Sequence, residues 1–279
     1  MLVLRRLLRD IPAVLGLVII LLVVLLAIFA WQIVPHPDRI YSNDIIRRLQ
    51  PPSALHWMGT DALGRDIFSR VVLGARSALT IAVGVVGLSM IIGVPLGLYA
   101  GYSRGIGSNL TMRVADLFLA VPQLILALAV AQLLSRGMTS AMIALSLTYW
   151  PFFTRTAYSE TLRLRSSLFV EALQGLGASP LRIVALHILP NIAAPIIVRA
   201  TIGMGFMILT AATLGFLGIG ATPPAPEWGL MIAESRQYLP QNWWYAMFPG
   251  LAILLTVLGF NLLGDGLRDL VDPRLRRSR

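Results

Sequence analysis

The 279-residue chain contains neither cysteine nor lysine, and only 13% of its residues are charged. Without cysteine it has no disulfide, no thiolate metal ligand and no cysteine nucleophile. Without lysine it has no P-loop of its own, because that loop uses a lysine to reach the β- and γ-phosphates of a nucleotide. If nucleotide hydrolysis drives this protein, the hydrolysing site therefore belongs to another polypeptide.

Apolar residues make up 57% of the chain, and the mean hydropathy is +0.77. These values predict an integral membrane protein surrounded by a lipid bilayer. The 23 arginines outnumber the 13 acidic residues and give a net charge of +10. Such a balance also suits nucleic acid, but these arginines are scattered between apolar runs, as the flanks of membrane spans are. We therefore predict no nucleic-acid partner.

Six apolar runs are long enough to cross a bilayer, which takes about 20 residues. They cover residues 11–31, 77–103, 117–135, 137–154, 192–220 and 244–264. A signal peptide is the alternative for the first run, but that run is long and no small-residue cleavage site follows it. We divide the chain into an N-terminal span with an external segment, residues 1–75, and a core of five spans, residues 76–279.

Arginine placement sets the predicted orientation. With a cytoplasmic N-terminus, inner segments hold fourteen arginines and outer segments hold eight; Arg199 is assigned to a span end and left uncounted. The inner set is Arg5, Arg6, Arg9, Arg104, Arg113, Arg155, Arg163, Arg165, Arg182, Arg268, Arg274, Arg276, Arg277 and Arg279. Both termini and the loop between spans four and five are therefore predicted to be cytoplasmic.

That loop, residues 158–190, predicts a bent helical pair, and we call it the coupling segment. Apolar residues recur at helical spacing in its first part, at Tyr158, Leu162, Phe169, Leu173 and Leu176. Gly177 is expected to end the first helix, because glycine enters the left-handed region cheaply. Ser179 suits the N-cap and Pro180 the first turn of a second helix, which Pro190 is expected to stop. Spacing alone leaves open whether the pair lies on lipid headgroups or docks into a protein groove.

The predicted external segment contains the run His56-Trp57-Met58-Gly59-Thr60-Asp61-Ala62-Leu63-Gly64-Arg65-Asp66. Its glycines and aspartates suit turns and helix caps, and ion pairing explains its charges without catalysis or metal binding. His36, His56 and His187 lie far apart on predicted opposite faces, so no joint metal site and no catalytic residues are predicted. Ion-driven secondary transport remains the alternative from a different class, although the acidic residues fall at span ends rather than mid-span.

Four runs carry a resemblance to a known family. Glu171-Ala172, Gly177 and Leu189-Pro190 resemble the loop signature Glu-Ala-Ala, three residues, Gly, nine residues, Ile-x-Leu-Pro of permease subunits of bacterial ABC importers. Leu173 departs from the third position of this signature and His187 from its Ile. The run from His56 to Asp66, the Pro-Pro-x-Pro-x-Trp-Gly run from Pro223, and the closing run from Asn261 to Arg274 resemble the C-type subunit of dipeptide, oligopeptide and nickel permeases.

The resemblance implies an all-α polytopic membrane protein of the type I ABC importer permease fold, with six transmembrane helices and a cytoplasmic coupling helix between spans four and five. It implies a transport subunit of the bacterial inner membrane that is not itself an enzyme and binds no cofactor or metal. Its expected partners are a homologous B-type permease subunit, two cytoplasmic ATPase subunits that bind ATP and Mg²⁺, and an extracytoplasmic substrate-binding protein. The expected cargo is di- or oligopeptide, with nickel or another small solute as the alternative.

The resemblance also assigns candidate site residues. The ATPase-coupling residues are Glu171, Ala172, Leu173, Leu176, Gly177, Ser179, Pro180, Leu189 and Pro190. The external motif consists of Gly59, Thr60, Asp61, Gly64, Arg65 and Asp66.

Overall fold

The computed structural model describes residues 10–35, 37, 40–41 and 43–271. The following residues used in the sequence predictions lie outside that part: Arg5, Arg6, Arg9, His36, Arg39, Asp272, Pro273, Arg274, Arg276, Arg277 and Arg279. Regular structure in the described residues is helical, apart from one isolated bridge between Thr60 and Asp66.

The helices follow one another with short connections, except for the segment between α2 and α3 and the loop before α10. They are α1 (Ile11–Ile28), α2 (Ala30–Ile33), α3 (Ile67–Tyr102), α4 (Ile106–Ala120), α5 (Gln123–Leu133), α6 (Met138–Arg165), α7 (Leu168–Gly175), α8 (Pro180–Ile183), α9 (Leu189–Phe216), α10 (Trp228–Ser235) and α11 (Trp244–Val271). A π-helical turn, Val184–Ile188, joins α8 to α9, and 3-10 turns occupy Ile45–Arg47 and Arg236–Tyr238.

Length and composition mark four helical stretches as membrane spans. They are Ile11–Ile28, Ile67–Tyr102, Pro180–Phe216 and Trp244–Leu270, and they confirm the first, second, fifth and sixth predicted spans. The pair α4 and α5 passes the same test only as one bent unit. The predicted fourth span lies on α6, which is not among the stretches marked as spans; this helix has 28 residues and buries polar side chains such as Ser146, Thr148 and Thr154 against its neighbours. It packs on α3, α5 and α9.

The third span differs from the prediction of one straight run over residues 117–135. The chain breaks between Ala120 and Gln123, and α4 and α5 are bent by 93°. Pro122 disfavours a helical conformation for the residue before it, and Val121 is accordingly extended, with φ −93° and ψ 133°. The predicted start at Leu117 therefore falls inside α4.

Small residues let α3 and α6 approach closely, and these two helices form the most extensive helix pair. A methyl group added at Gly93 would lie 2.4 Å from the Trp150 carbonyl oxygen, and one at Gly97 would lie 2.5 Å from that of Thr154. Helices in membranes associate largely through such close packing, because lipid provides no hydrophobic driving force between them. The α3–α6 pair therefore forms the centre of the bundle, and α9 packs against it.

Candidate functional site

The first helix of the coupling segment is interrupted, which the sequence prediction missed. Helix α6 ends at Arg165, and Ser167 is extended, with φ −87° and ψ 147°, before α7 begins. The hydroxyl of Ser166 donates to the Arg163 carbonyl at 3.2 Å, and that of Ser167 donates to the Leu164 carbonyl at 2.5 Å. Serine side chains compete with the backbone in this way at helix ends. The predicted apolar stripe is therefore split between α6 and α7.

The predicted break at Gly177 is confirmed. Its φ is +78°, and the amides of Gly177 and Ala178 donate to the carbonyls of Gln174 and Leu173, each at 3.0 Å. This pair of bonds is the Schellman arrangement that terminates many helices with a left-handed glycine. The predicted N-cap is also confirmed, because the Ser179 hydroxyl accepts from the Arg182 amide at 3.4 Å and Pro180 opens α8.

The expectation that Pro190 stops the second helix is wrong. The chain stays helical from Pro180 to Phe216, passing through the π-helical turn into α9. A proline ring clashes with the carbonyl four residues earlier in an α-helix, and the wider π turn relieves that crowding. The Asn191 side-chain amide donates to the His187 carbonyl at 2.6 Å and so gives this carbonyl of the π-helical turn a hydrogen-bond partner.

The coupling segment has an anchored face and an open face. Val170, Ile183 and Ile188 are fully buried in the core formed with α3, α6 and α9. Large apolar side chains lie on the open face, where the exposed fractions are 84% for Leu168, 84% for Leu176, 78% for Leu181 and 62% for Leu186. Of the predicted coupling residues, Leu173 is half-buried against the core, and the remaining ones are exposed, namely Glu171, Ala172, Leu176, Gly177, Ser179, Pro180, Leu189 and Pro190.

Arg165 ties the coupling segment to the end of α3, a role that the sequence analysis did not predict. Its Nη1 donates to the carbonyls of Gly101, Tyr102 and Ser103 at 3.1–3.2 Å. These carbonyls belong to the last turn of α3 and its C-cap Ser103, where orphan acceptors and the negative end of the helix dipole favour a cation. Glu171, in the first turn of α7, makes no ion pair within the described part of the chain.

The external motif forms a buried ion network that we call the external cluster: Asp61, Arg65, Arg70, Glu234 and Tyr245. Arg65 Nε donates to Asp61 Oδ2 at 2.6 Å, and its Nη2 donates to Glu234 Oε2 at 2.9 Å. Arg70 lies 3.7 Å from each of these two carboxylates, and the Tyr245 hydroxyl donates to Glu234 at 3.1 Å. Because Glu234 is on α10 and Tyr245 on α11, the network fastens the start of α3 to the other end of the chain.

The rest of the motif is folded tightly around this network. Asp66 caps α3 by accepting from the Ser69 amide at 2.8 Å, and its other oxygen lies 2.8 Å from His56 Nδ1. Thr60 accepts from the Gln50 amide and donates to the Arg47 carbonyl. Gly59 and Gly64 both have φ near +77°, and a Cβ at Gly64 would lie 1.8 Å from the Asp44 carbonyl oxygen. The motif's polar groups therefore serve turns, caps and ion pairs, as the sequence predicted.

The proline-rich run contacts Arg70, which lies in the first turns of α3 shortly after the external motif. Its Nη1 donates to the carbonyls of Ile40 and Pro224 at 3.1 Å each. The indole of Trp228, at the end of the proline-rich run, donates to the Val71 carbonyl at 2.9 Å. The proline-rich run is thus held against the first turns of α3.

Electrostatics distinguish the buried groups of this region. Burial disfavours the charge on Arg65, but the carboxylates of Asp61 and Glu234 outweigh it and raise its pKa above the ordinary value. For Glu227, burial raises the pKa. The amides of Gly229 and Leu230, which donate to its carboxylate at 2.9 and 2.7 Å, act in the opposite direction but do not outweigh burial. Arg65 is therefore held firmly in its charged form.

Arg199 is left without a role in the sequence analysis. The structure places it within one continuous helical stretch, Pro180–Phe216, so the span end predicted there is not a helix end. A charge within an apolar run was visible in the sequence, because Arg199 is the single charged residue of the run 192–220. Glu234 was also missed, and nothing local in the sequence connects it with Arg65, 169 positions away.

Comparison with known proteins agrees with this architecture. Residues 93–277 match the model of the family described as binding-protein-dependent transport system inner membrane component, and residues 1–52 match the N-terminal transmembrane domain of oligopeptide transport permease C. The chain is 44% identical over 272 residues to a dipeptide transport system permease protein of Alkalihalophilus pseudofirmus, covering 98% of this chain and 89% of that protein. It is 42% identical over 272 residues to a glutathione transport system permease protein of Pectobacterium atrosepticum, covering 98% and 90%.

Among solved structures, a chain of the inward-facing MetNI methionine ABC transporter matches with a TM-score of 0.59 at 21% identity. The match covers 73% of this chain and 97% of that one, and it shows a shared fold. The bundle, with its anchored segment between the fourth and fifth spans, is thus a type I ABC importer permease fold. The chain belongs to the family of binding-protein-dependent transport system inner membrane components and is a permease subunit of an ABC importer.

Proposed function

We propose that this permease imports short peptides delivered by an extracytoplasmic binding protein. Its relatives include proteins named as dipeptide and glutathione permeases, and glutathione is itself a small peptide. The external motif is shared with nickel permeases and does not distinguish the two cargoes. The names of these relatives therefore give peptide cargo more support than nickel.

The proposed complex contains this chain, a homologous B-type permease subunit and two ATPase subunits that bind ATP and Mg²⁺. The absence of lysine supports a separate ATPase, since this chain has no residue for a P-loop. We place the complex in the bacterial inner membrane with both termini in the cytoplasm, on the distribution of arginines. The coupling segment then faces the side where ATP is available.

The observation that carries the proposal is the two-faced coupling segment. Its open face presents leucines at Leu168, Leu176, Leu181 and Leu186, and its other face is locked into the core. Exposed apolar patches on an anchored element are typical of protein interfaces. We assign this face to a groove on the ATPase subunit.

Continuity between the coupling segment and α9 supplies the mechanism. The helix from Pro180 to Phe216 has 37 residues and therefore extends over about 55 Å. A displacement applied near Leu181 is transmitted along this helix into the membrane. Movement of the ATPase subunits would thus tilt α9 against the α3–α6 pair and open the passage alternately to the two sides.

The test uses the complete transporter in proteoliposomes with loaded binding protein. Leu176→Asp places a charge on the open face, and loss of a central apolar anchor costs about 2 kcal/mol or more of binding free energy. We expect ATP-driven uptake to fall by more than tenfold, about the factor that 1.4 kcal/mol represents, and the ATPase subunits to co-purify poorly.

Ile106→Asp is the matched control, because Ile106 is 87% exposed on the predicted cytoplasmic side but lies outside the coupling segment. This variant should keep uptake and assembly. Normal uptake by Leu176→Asp would contradict the docking role. Uptake by the purified chain alone under an ion gradient would instead support the ion-driven alternative.

A further inference from the structure

A cavity of about 360 Å³ opens between α6, α9 and α11 within the membrane bundle. Its walls are mostly apolar and aromatic, with Phe152, Phe206 and Val257 among them. Three lining residues carry polar groups, namely Tyr149, Arg199 and Asn261. A cavity with apolar walls and a few convergent polar groups is the usual form of a small-molecule site.

Arg199 is the charged residue of this cavity, and it has no counter-ion in the described part of the chain. No hydrogen bond or ion pair joins it to another described residue, and its Nε is buried without a hydrogen-bond partner. Its guanidinium carbon lies 4.8 Å from the ring centre of Phe152 and 5.9 Å from that of Tyr149. The aromatic rings hold the cation in place while leaving its donors unused.

Arg199 lies in the apolar run 192–220, where a charged side chain is costly unless it has a use. Arg199 is ten residues beyond Leu189, so it lies about 15 Å along α9 from the start of that helix. Ionisable side chains inside a membrane bundle are expensive, and they commonly mark the path of a substrate or ion.

Gly203 on α9 leaves room for a second hydrogen-bond donor, the Tyr149 hydroxyl, in the cavity that holds Arg199. A Cβ at Gly203 would lie 2.7 Å from the Tyr149 hydroxyl oxygen, so only glycine leaves room for that hydroxyl. Tyr149 is 3% exposed, and its ring also packs against Phe152 and Phe206. The phenol is therefore fixed against α9, on the same cavity as Arg199.

We propose that Arg199, assisted by Tyr149 and Asn261, binds the carboxylate of a peptide while it crosses the membrane. The proposal rests on the peptide-import function proposed above. Every linear peptide with a free C-terminus carries this carboxylate at neutral pH, and guanidinium groups pair with carboxylates through two parallel hydrogen bonds. The apolar walls accept varied side chains, so the site reads the shared terminal charge rather than the sequence.

The test compares alanylalanine with alanylalanine amide in the complete transporter, each at a concentration that saturates the binding protein. The same binding protein serves every permease variant, so its own preference cancels when variants are compared. Arg199→Gln should lower import of the free acid about tenfold, the loss expected for a charge-assisted hydrogen bond, and leave import of the amide unchanged. Arg199→Lys should retain part of the preference for the free acid over the amide, because lysine keeps the positive charge but cannot form two parallel hydrogen bonds to a carboxylate.

Arg155→Gln is the control, because Arg155 lies on α6, which also lines the cavity, but already pairs with Asp116. It should leave the preference for the free acid unchanged. Equal losses for both probes in Arg199→Gln, or loss of the second permease subunit on size-exclusion chromatography, would overturn the proposal in favour of a structural or inter-subunit ion pair. If the wild-type transporter imports neither probe, the peptide assignment fails and this proposal fails with it.

Discussion

The external cluster and the coupling segment use their side chains in opposite ways. In the external cluster, Arg65 and Arg70 are 1% and 0% exposed, and both lie among carboxylates of this same chain. In the coupling segment, Leu168 and Leu176 are each 84% exposed, and nothing in the described chain covers them. The charged region thus pairs its charges within the chain, and the apolar region is left open for a partner.

This contrast shows that a family signature does not mark one kind of role. The residues of the external motif are needed because this chain folds around them. Replacing the open-face leucines should change the stability of this chain little, because their side chains are already exposed. Substitutions in the external cluster should therefore affect folding, and substitutions on the open face should affect coupling with folding intact.

Breaking the external cluster is expected to have the largest effect. Arg65→Met leaves the carboxylates of Asp61 and Glu234 buried with one cation fewer, and removing one partner of a buried pair costs about 3–5 kcal/mol. The free energy of unfolding can be measured by SDS titration in mixed micelles.

Arg163→Met is the control for Arg65→Met, since Arg163 pairs with Glu160 but its side chain is 67% exposed. Exposed pairs of this kind contribute about 0–1 kcal/mol. Similar losses for both variants would show that the ion pairs of the external cluster do not contribute more to stability than an exposed pair does.

Local chemistry made much of the coupling segment predictable. Gly177, Ser179 and Pro180 each act through their own backbone or side chain within a few residues, and each does what its residue type favours. Pro190 does not stop the helix as predicted, because the π-helical turn before it accommodates the proline ring. Local sequence rules do not predict such a turn. The break at Ser167 was missed for a similar reason, since serine is compatible with both a helix and a cap.

Long-range features were beyond reach from the sequence. Glu234 enters the external cluster from α10, and no periodicity connects it with Arg65. The error that ended a helix at Pro190 also concealed that Arg199 lies within one continuous helical stretch, Pro180–Phe216. The first, second, fifth and sixth spans could be predicted because each apolar run is detectable on its own, whereas the contacts between helices depend on residues far away in the chain.

A smaller effect is expected from Gly177→Ala, which sharpens the comparison by straining the coupling segment without touching its open face. The left-handed backbone costs a residue with a Cβ about 1–2 kcal/mol, although no atom of the described residues lies within 4 Å of the added methyl group. Reduced uptake per ATP hydrolysed, measured in proteoliposomes, is the expected result, because the angle between α7 and α8 changes.

Gly175→Ala is the matched control for Gly177→Ala. Gly175 also has open space around an added methyl group, but it is the last residue of α7 and lacks a positive φ. Alanine there should be neutral or stabilising, by about 0.5–1 kcal/mol relative to glycine in a helix. Equal coupling in the two variants would mean that the bend at Gly177 does not set the position of the open face.

The smallest effect is expected at the N-cap of α8. The Ser179 hydroxyl accepts from the Arg182 amide at 3.4 Å and is exposed, so Ser179→Ala should cost about 0.5 kcal/mol, the low end for N-caps. Ser179→Asp should restore or exceed the wild-type free energy of unfolding, because a carboxylate both caps the helix and interacts favourably with the positive end of the helix dipole. Both changes are measurable by SDS titration, with uptake as a second readout. A loss as large as that of Arg65→Met would mean that the coupling segment, like the external cluster, depends on its polar contacts, and the division between the two regions would not hold.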